Sequence, residues 1–382
     1  MLESDVLAAM IDEVARLARE ELIPAEEEVE ATDAIPGHIV QRLREFGFFG
    51  MTIPAEYGGL DLTMYEEARV VMELCYASPV FRSYFGTSNG VGTLGITIDG
   101  TEEQRRRYLP KIATGEMVAS FALTEPDAGS DVASMVTKAT KDGDSYVING
   151  TKRYITNAPQ AGVFTVFART SPPETRSRGI SAFLVDAGTP GLTVAPHFQK
   201  MGFRGSHSCD VIFEDCRVPA GALLGGEEGI GFKTAMKSLD HARLHMSAVA
   251  AGLCRRIVDE GLAYAMDRKQ FGQPIAEFQL IQGMLAECET DAIAARAMVE
   301  KVSEMKDAGL PVTKETAACK FFTTEALGRI ADKVLQIHGG AGYIKEYPIE
   351  RLFRDARLLR IFEGTSQIQQ IIVARQMIRQ AI

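Results

Sequence analysis

The sequence predicts an α+β protein in which helical regions flank a β-rich middle, and three observations carry that expectation. Near the start, Leu7, Met10, Ile11, Val14, Leu17 and Ala18 recur at the spacing of one helix face. Between residues 118 and about 219 the texture changes to short β-rich runs separated by turn residues. From Gly231 onward long helical runs return, broken at Pro274 and at Gly309-Leu310-Pro311. The expected division is a helical domain over 1–117, a β-barrel domain over 118–225 and a helical bundle over 226–382.

In chain order, the first helical run covers residues 7–22 and is expected to end at Pro24, which cannot donate to a helix ladder. Helical patterning resumes over 39–46 and 65–74. Residues 145–148 and 151–156 read as strands, and the Asn149-Gly150 between them predicts a tight hairpin, because both residues tolerate positive φ. Further strands are expected over 163–168, 180–185, 192–195 and 209–213. Alanines over 292–298 suit close helix packing. Gly90-Val91-Gly92-Thr93-Leu94-Gly95 has the spacing of a dinucleotide-binding fingerprint, but no strand–turn–helix unit surrounds it. The segment is read as small residues that let helices approach, or as a turn.

Bulk properties exclude several classes. A formal charge of −10 without a long basic run opposes nucleic-acid binding, and Arg105-Arg106-Arg107 follows Glu102 and Glu103 as a solvated helix face. Cys75, Cys209, Cys216, Cys254, Cys288 and Cys319 are scattered without a paired spacing, which argues against disulfides and zinc and fits a reducing cytoplasm. His207, Cys209 and Cys216 lie close together, but the apolar run between them reads as a strand rather than a metal loop. No signal-peptide pattern and no membrane-length apolar stretch is present, so the mature chain is expected to begin at or near Met1.

The most informative stretch is Ile361-Phe362-Glu363-Gly364-Thr365-Ser366. A carboxylate framed by Ile361 and Phe362 is expected to be partly desolvated, which raises its pKa and suits proton abstraction from carbon. The competing account is a helix start, with Thr365 or Ser366 as cap and Glu363 favoured by the helix dipole. Taken alone, the stretch favours the helix start.

Set beside four further stretches in order, the segment resembles the C-terminal signature of the acyl-CoA dehydrogenase family. The others are 121–131 (FALTEPDAGSD), Tyr154-Ile155-Thr156-Asn157, Asp267-Arg268-Lys269-Gln270-Phe271-Gly272 and 336–343 (QIHGGAGY). The resemblance spans essentially the whole chain. It implies a helical domain, a β-barrel and a four-helix bundle, with FAD as cofactor and Glu363 as the base. It places Phe121, Leu123, Thr124, Gly129 and Ser130, together with Tyr154 and Thr156, against the flavin. Tyr154 departs from the commoner Trp, and the chain contains no Trp. Arg268, Gln270, Phe271, Gln279, Gln336 and Gly340 are implied to hold the FAD of a neighbouring subunit, and Thr365 and Gln367 to touch the cofactor. That arrangement requires an oligomer, and the resemblance implies a homotetramer, a dimer of dimers.

For the substrate, the resemblance assigns Ser130, Asp240, Arg243, Phe362 and Gly364 to the acyl-CoA thioester. Some relatives carry their base where this chain has Ala242, which cannot take a proton. Relatives that handle glutaryl-CoA have an Arg-Ser pair matching Arg82-Ser83, so these residues are candidates for holding a distal carboxylate. A structural pair between Arg82 and an acid such as Glu73 is the equal alternative. His241, His245 and His338 are expected to be structural. The implied reaction is α,β-dehydrogenation to a trans-2-enoyl-CoA, with electron-transfer flavoprotein as acceptor. An oxidase, a flavin- or CoA-binding module without turnover, and a nicotinamide enzyme built on Gly90–Gly95 are the alternatives.

Overall fold

The computed structural model describes residues 2–381. Its first part is helical: α1 (Ser4–Leu17), α2 (Ile23–Thr32), α3 (Gly37–Glu45), α4 (Met64–Leu74), α5 (Val80–Gly86), α6 (Val91–Asp99) and α7 (Glu102–Ala113). Pro24 does not end the first run. Ala18–Leu22 form a π turn in which the Ile23 N–H reaches back to the Ala18 carbonyl, and Pro24 falls in the first turn of α2, where no N–H is needed. The glycines at 90–95 open and line α6, which follows α5 rather than a strand. A Cβ on Gly92 would come within 3.0 Å of the Ala119 backbone, so the glycines serve close packing and not a dinucleotide.

Strands β1 (Val118–Ala122), β2 (Lys138–Asp142), β3 (Ser145–Thr156), β4 (Ala161–Arg169), β5 (Ile180–Asp186), β6 (Leu192–Val194) and β7 (Ser208–Pro219) form one seven-stranded curled sheet, in the order β1-β4-β2-β3-β7-β6 with β5 also on β4. The expected hairpin at Asn149-Gly150 is not there. β3 runs straight through the pair, and the turn lies at Gly143, between β2 and β3. Asn149-Gly150 instead marks a bulge where the register against β7 slips. Asn149 exchanges two hydrogen bonds with Asp215, and Gly150 takes φ +147 over Thr137. Bulges demand the same backbone freedom as tight turns, which is why the dipeptide misleads.

The C-terminal part contains α8 (Gly231–Asp267), the short strands β8 (Lys269–Gln270) and β9 (Gln273–Pro274), then α9 (Gln279–Asp307), α10 (Thr313–His338), α11 (Pro348–Leu358) and α12 (Ser366–Ala381). The breaks fall at Pro274 and at 309–311, as the sequence predicts. Helices α8, α9 and α10 pack on one another and α12 lies on α10. One core joins both helical parts, with Val14, Leu43 and Val71 in the same cluster as Leu253, Val299 and Ile330. The sheet keeps its own core around Ile148, Phe164 and Val211.

An ion pair fixes the loop that leaves β1. Lys152 and Glu125 meet at 2.7 Å with side chains 0% and 2% exposed. Glu125 also accepts from the N–H groups of Val136 and Thr137, and Lys152 donates to the Leu123 carbonyl at 3.1 Å. Burial works to raise the Glu125 pKa, but Lys152 and these donors outweigh it and hold the carboxyl below its usual range. Burial pushes Lys152 down to about 8. Removing one partner of a buried pair strands the other, so Glu125→Ala should lower the unfolding free energy by about 3 kcal/mol at neutral pH, measured by urea unfolding. A group with a depressed folded pKa stabilises above its unfolded pKa and loses that contribution as pH falls. The gap between the variant and the parent should therefore narrow below about pH 4.

Candidate active site

Glu363 sits in the short loop between α11 and α12, at φ +53, followed by Gly364 at φ +90. A left-handed glutamate persists only where its surroundings hold it. Lys320, on α10 and 0% exposed, donates to the carbonyls of Phe362 at 3.1 Å and Gly364 at 2.8 Å. From α12, buried Gln369 donates to the Gly364 carbonyl at 2.9 Å. Thr365 accepts from the Ile368 N–H at 3.3 Å and so caps α12. The helix-start account is thus correct for Thr365, and it leaves the Glu363 side chain free to turn inward.

That side chain enters a cavity it shares with Arg82, Ser83, Thr156, Ala242 and Phe362. Residues from α5, the end of β3, α8 and the final loop therefore converge. Desolvation raises the Glu363 pKa, opposed by the positive charges of Arg82, Lys320 and Arg243. Arg243 is buried, bonded to Asp240 at 2.5 Å, and its Nε lies close to Gly364. Asp240 is only part-buried and, like Ser130 and Gly129, is not among the residues that line the cavity.

Arg82 does not pair with Glu73, which lies instead beside Arg19. Its Nε donates to His245 Nε2 at 2.6 Å, while His245 Nδ1 lies 2.5 Å from Glu67, a carboxylate 0% exposed. Since arginine can only donate, His245 must be neutral with its proton on Nδ1, and burial and Arg82 together push its pKa down to about 4. His241 Nε2 is 2.8 Å from the other Glu67 oxygen, off the line of a good hydrogen bond. Two of the three histidines expected to be structural, His241 and His245, therefore line the Glu363 cavity. His338 is the structural one, stacked on Tyr264 at 4.1 Å.

The two segments assigned to the flavin are neighbours. The Arg153 N–H donates to the Thr124 carbonyl at 2.8 Å, beside a second bulge in β3 that puts Tyr154 at φ +60. Tyr154 is consequently no ordinary strand residue: its ring is 60% exposed and rests 5.3 Å from Phe198. Phe121 is half-buried against Phe167, and Leu123 is buried in the core. Asn157, buried and left-handed, donates to the Ser83 and Tyr84 carbonyls and to Thr87, fastening α5 to the sheet.

A second cleft, of about 890 Å³, is lined by Arg268, Gln270, Phe271, Gln279 and Gly340. Gln336 is exposed on α10 but does not line it, and Gln367 is exposed on α12. Arg268 pairs with neither Asp267 nor Glu277 among the described residues. α9 begins at this cleft with no side-chain cap, so its first N–H groups and Arg268 present donors suited to a diphosphate. This fits the pyrophosphate of FAD. His207, the other candidate ligand, faces Asp33 and His197, while Cys209 and Cys216 are buried in the sheet core.

Sequence reasoning missed Lys320, Glu67, His245 and Asn157 as parts of the site. Asn157 alone carried a signal, as the last residue of a quoted motif. The others are helix residues whose partners lie far away in sequence.

Comparison with known proteins agrees along the chain. Family models described as acyl-CoA dehydrogenase N-terminal, middle and C-terminal domains match residues 4–116, 120–216 and 229–378. A probable acyl-CoA dehydrogenase of Bacillus subtilis is 41% identical over 97% of both chains. An acryloyl-CoA reductase (NADH) of Anaerotignum propionicum is 41% identical over 97% of this chain and 94% of its own. The structure of butyryl-CoA dehydrogenase from Megasphaera elsdenii superposes with a TM-score of 0.94 at 31% identity, covering 99% of both chains. With a desolvated glutamate at its signature position and matches over its full extent, the chain belongs to the acyl-CoA dehydrogenase family of FAD-dependent oxidoreductases.

Proposed function

We propose that the chain interconverts an acyl-CoA thioester and its trans-2-enoyl-CoA, with Glu363 as the base that removes the Cα proton. The observation that carries this reading is the Glu363 carboxyl turned into a cavity between α5, the sheet and α8, with its pKa raised by desolvation. A carboxyl whose pKa is raised by desolvation, with cations nearby that favour its charged form, is matched to a weakly acidic carbon. FAD, when bound, accepts hydride from Cβ. Phe121, Thr124, Tyr154 and Thr156 would lie along the isoalloxazine, and Arg268, Gln270 and Gln279 at the diphosphate. No acceptor among the described residues takes the Glu363 N–H, which leaves it as a donor for the thioester oxygen as charge develops there. The same glutamate serves either direction, since returning a proton to Cα reverses its removal; the reductase name of one relative is compatible with this.

In this reading the helical parts 1–117 and 226–382 close on the sheet part 118–225 around the thioester. The diphosphate cleft is lined in part by exposed apolar side chains, with Phe271 93% and Leu280 83% exposed. Such a lining calls for a second copy of the chain, in line with a homotetramer whose subunits share FAD sites. Electron-transfer flavoprotein is the proposed electron partner. No described helix is long and apolar enough to cross a membrane, and the cytoplasm is the proposed location.

A specific observation favours a dicarboxylyl substrate. Arg82 reaches the Glu363 cavity with no carboxylate in ion-pair range among the described residues, and its hydrogen-bond partner is a neutral imidazole. A half-buried guanidinium so placed suits a distal carboxylate on the acyl chain.

Two outcomes check these assignments. Glu363→Gln should lose about 10²–10⁴-fold in the rate of flavin bleaching by acyl-CoA while keeping its full complement of FAD. Arg82→Ala should raise KM for glutaryl-CoA by at least ~10-fold more than KM for butyryl-CoA, about 1.4 kcal/mol of difference, since any change in the Glu363 carboxyl is common to both thioesters. Equal effects on both thioesters would remove the dicarboxylyl reading.

A further inference from the structure

Lys320 is an unusual buried cation. It is 0% exposed, and no carboxylate oxygen lies within ion-pair distance among the described residues. Glu325, the acid on the next turn of α10, is already engaged by Arg360 and by Ser366 at 2.6 Å. The Lys320 ammonium instead bridges the two carbonyls on either side of Glu363. Carbonyls alone poorly replace the hydration of an ammonium, and burial pushes Lys320 down to about 8, with Glu363 the largest opposing influence. A neutral amide would satisfy the same carbonyls without that cost. The charge at this position therefore has its effect elsewhere, and the carboxylate it faces is Glu363.

We propose that Lys320 is a positioning residue for the base, holding the left-handed turn at Glu363 through the Phe362 and Gly364 carbonyls and keeping the carboxyl ionised by its charge. The proposal rests on Glu363 being the base. Two effects combine. The bridge fixes the direction in which the Glu363 side chain leaves the loop, and the ammonium offsets the desolvation that otherwise favours the protonated form. The other charged groups facing Glu363 are Arg82 from α5 and Arg243 from α8, and Lys320 itself also feels Arg243 and Glu325. Arg243 is bound to Asp240, and Arg82 to His245. Lys320 is thus the cation whose hydrogen bonds all end on the base's own loop.

The test reads proton removal without redox chemistry. Acetyl-CoA has an α-carbon but no β-carbon, so it can exchange α-hydrogen with solvent but cannot pass hydride to the flavin. With FAD-loaded protein in D₂O, deuterium entering acetyl-CoA is followed by NMR across pH. Lys320→Met should slow exchange by ~10²-fold, the scale expected when a reacting group is misplaced by about 1 Å. Lys320→Gln keeps donors but not charge, so it should retain more of the rate while its acid limb moves to higher pH, because loss of a cation raises the Glu363 pKa. FAD content and melting temperature identify variants that fail to fold, and the Gln variant keeps the test open if the Met variant does. Unchanged rates and pH profiles in both folded variants would overturn the proposal. If the parent protein exchanges no deuterium and no acyl-CoA bleaches its flavin, the base assignment fails instead.

Discussion

A carboxylate has to be taken out of water to become a strong base, and it has to be kept near positive charge to remain a base at all. That opposition governs the arrangement around Glu363. Burial raises its pKa, and Arg82, Lys320 and Arg243 approach from three separate helices to limit the rise. Each cation is in turn restrained by a partner: His245 for Arg82, Asp240 for Arg243, and the loop carbonyls for Lys320. Because these groups come from α5, α8, α10 and the final loop, the site exists only when the N-terminal helices and the bundle share their core.

The sheet packs on the helices through an apolar cluster that includes Ile96, Leu109, Val163 and Phe167, and polar fastenings beside it involve the signature residues. Asn157 ties the end of β3 to α5, just behind Arg82 and Ser83. Glu125 and Lys152 tie the loop after β1 to the middle of β3. Thr124 and Tyr154 are brought together between those two fastenings, through the Arg153 amide. Several residues in the motifs therefore act on geometry, while their exposed neighbours are left to meet a ligand. Tyr154 illustrates the division: a bulge removes it from the ladder and turns its ring outward.

Much of this fold is legible in the sequence, because long helices and short strands differ in the period of their apolar residues. The runs at 65–74, 163–168 and 180–185 lie inside observed elements, and the run at 39–46 overruns α3 by one residue. The errors came where one local signal has two structural uses. Asn149-Gly150 supplies positive φ to a bulge as readily as to a hairpin, and Pro24 enters a helix as readily as it ends one. Glu363 stood out through the ordered set of motifs and not through its apolar neighbours alone, which favour a helix start. The groups that tune it were not legible as such, since Lys320, Arg82 and Arg243 come from distant parts of the chain and only packing makes them neighbours.

The Glu67 cluster shows how far such tuning extends from the reacting atoms. A single buried carboxylate faces two imidazoles, and Asn89 donates to it as well at 2.9 Å. Glu67 does not touch Arg82 directly, because His245 stands between them. A neutral imidazole that accepts from Arg82 and donates to Glu67 transmits orientation without cancelling the guanidinium charge. Had Glu67 met Arg82 directly, the pair would have neutralised itself and left the cavity with Glu363 as its dominant charge. With the imidazole interposed, the cavity keeps a cation beside the glutamate, so an anionic group on an acyl chain finds a partner there without displacing one.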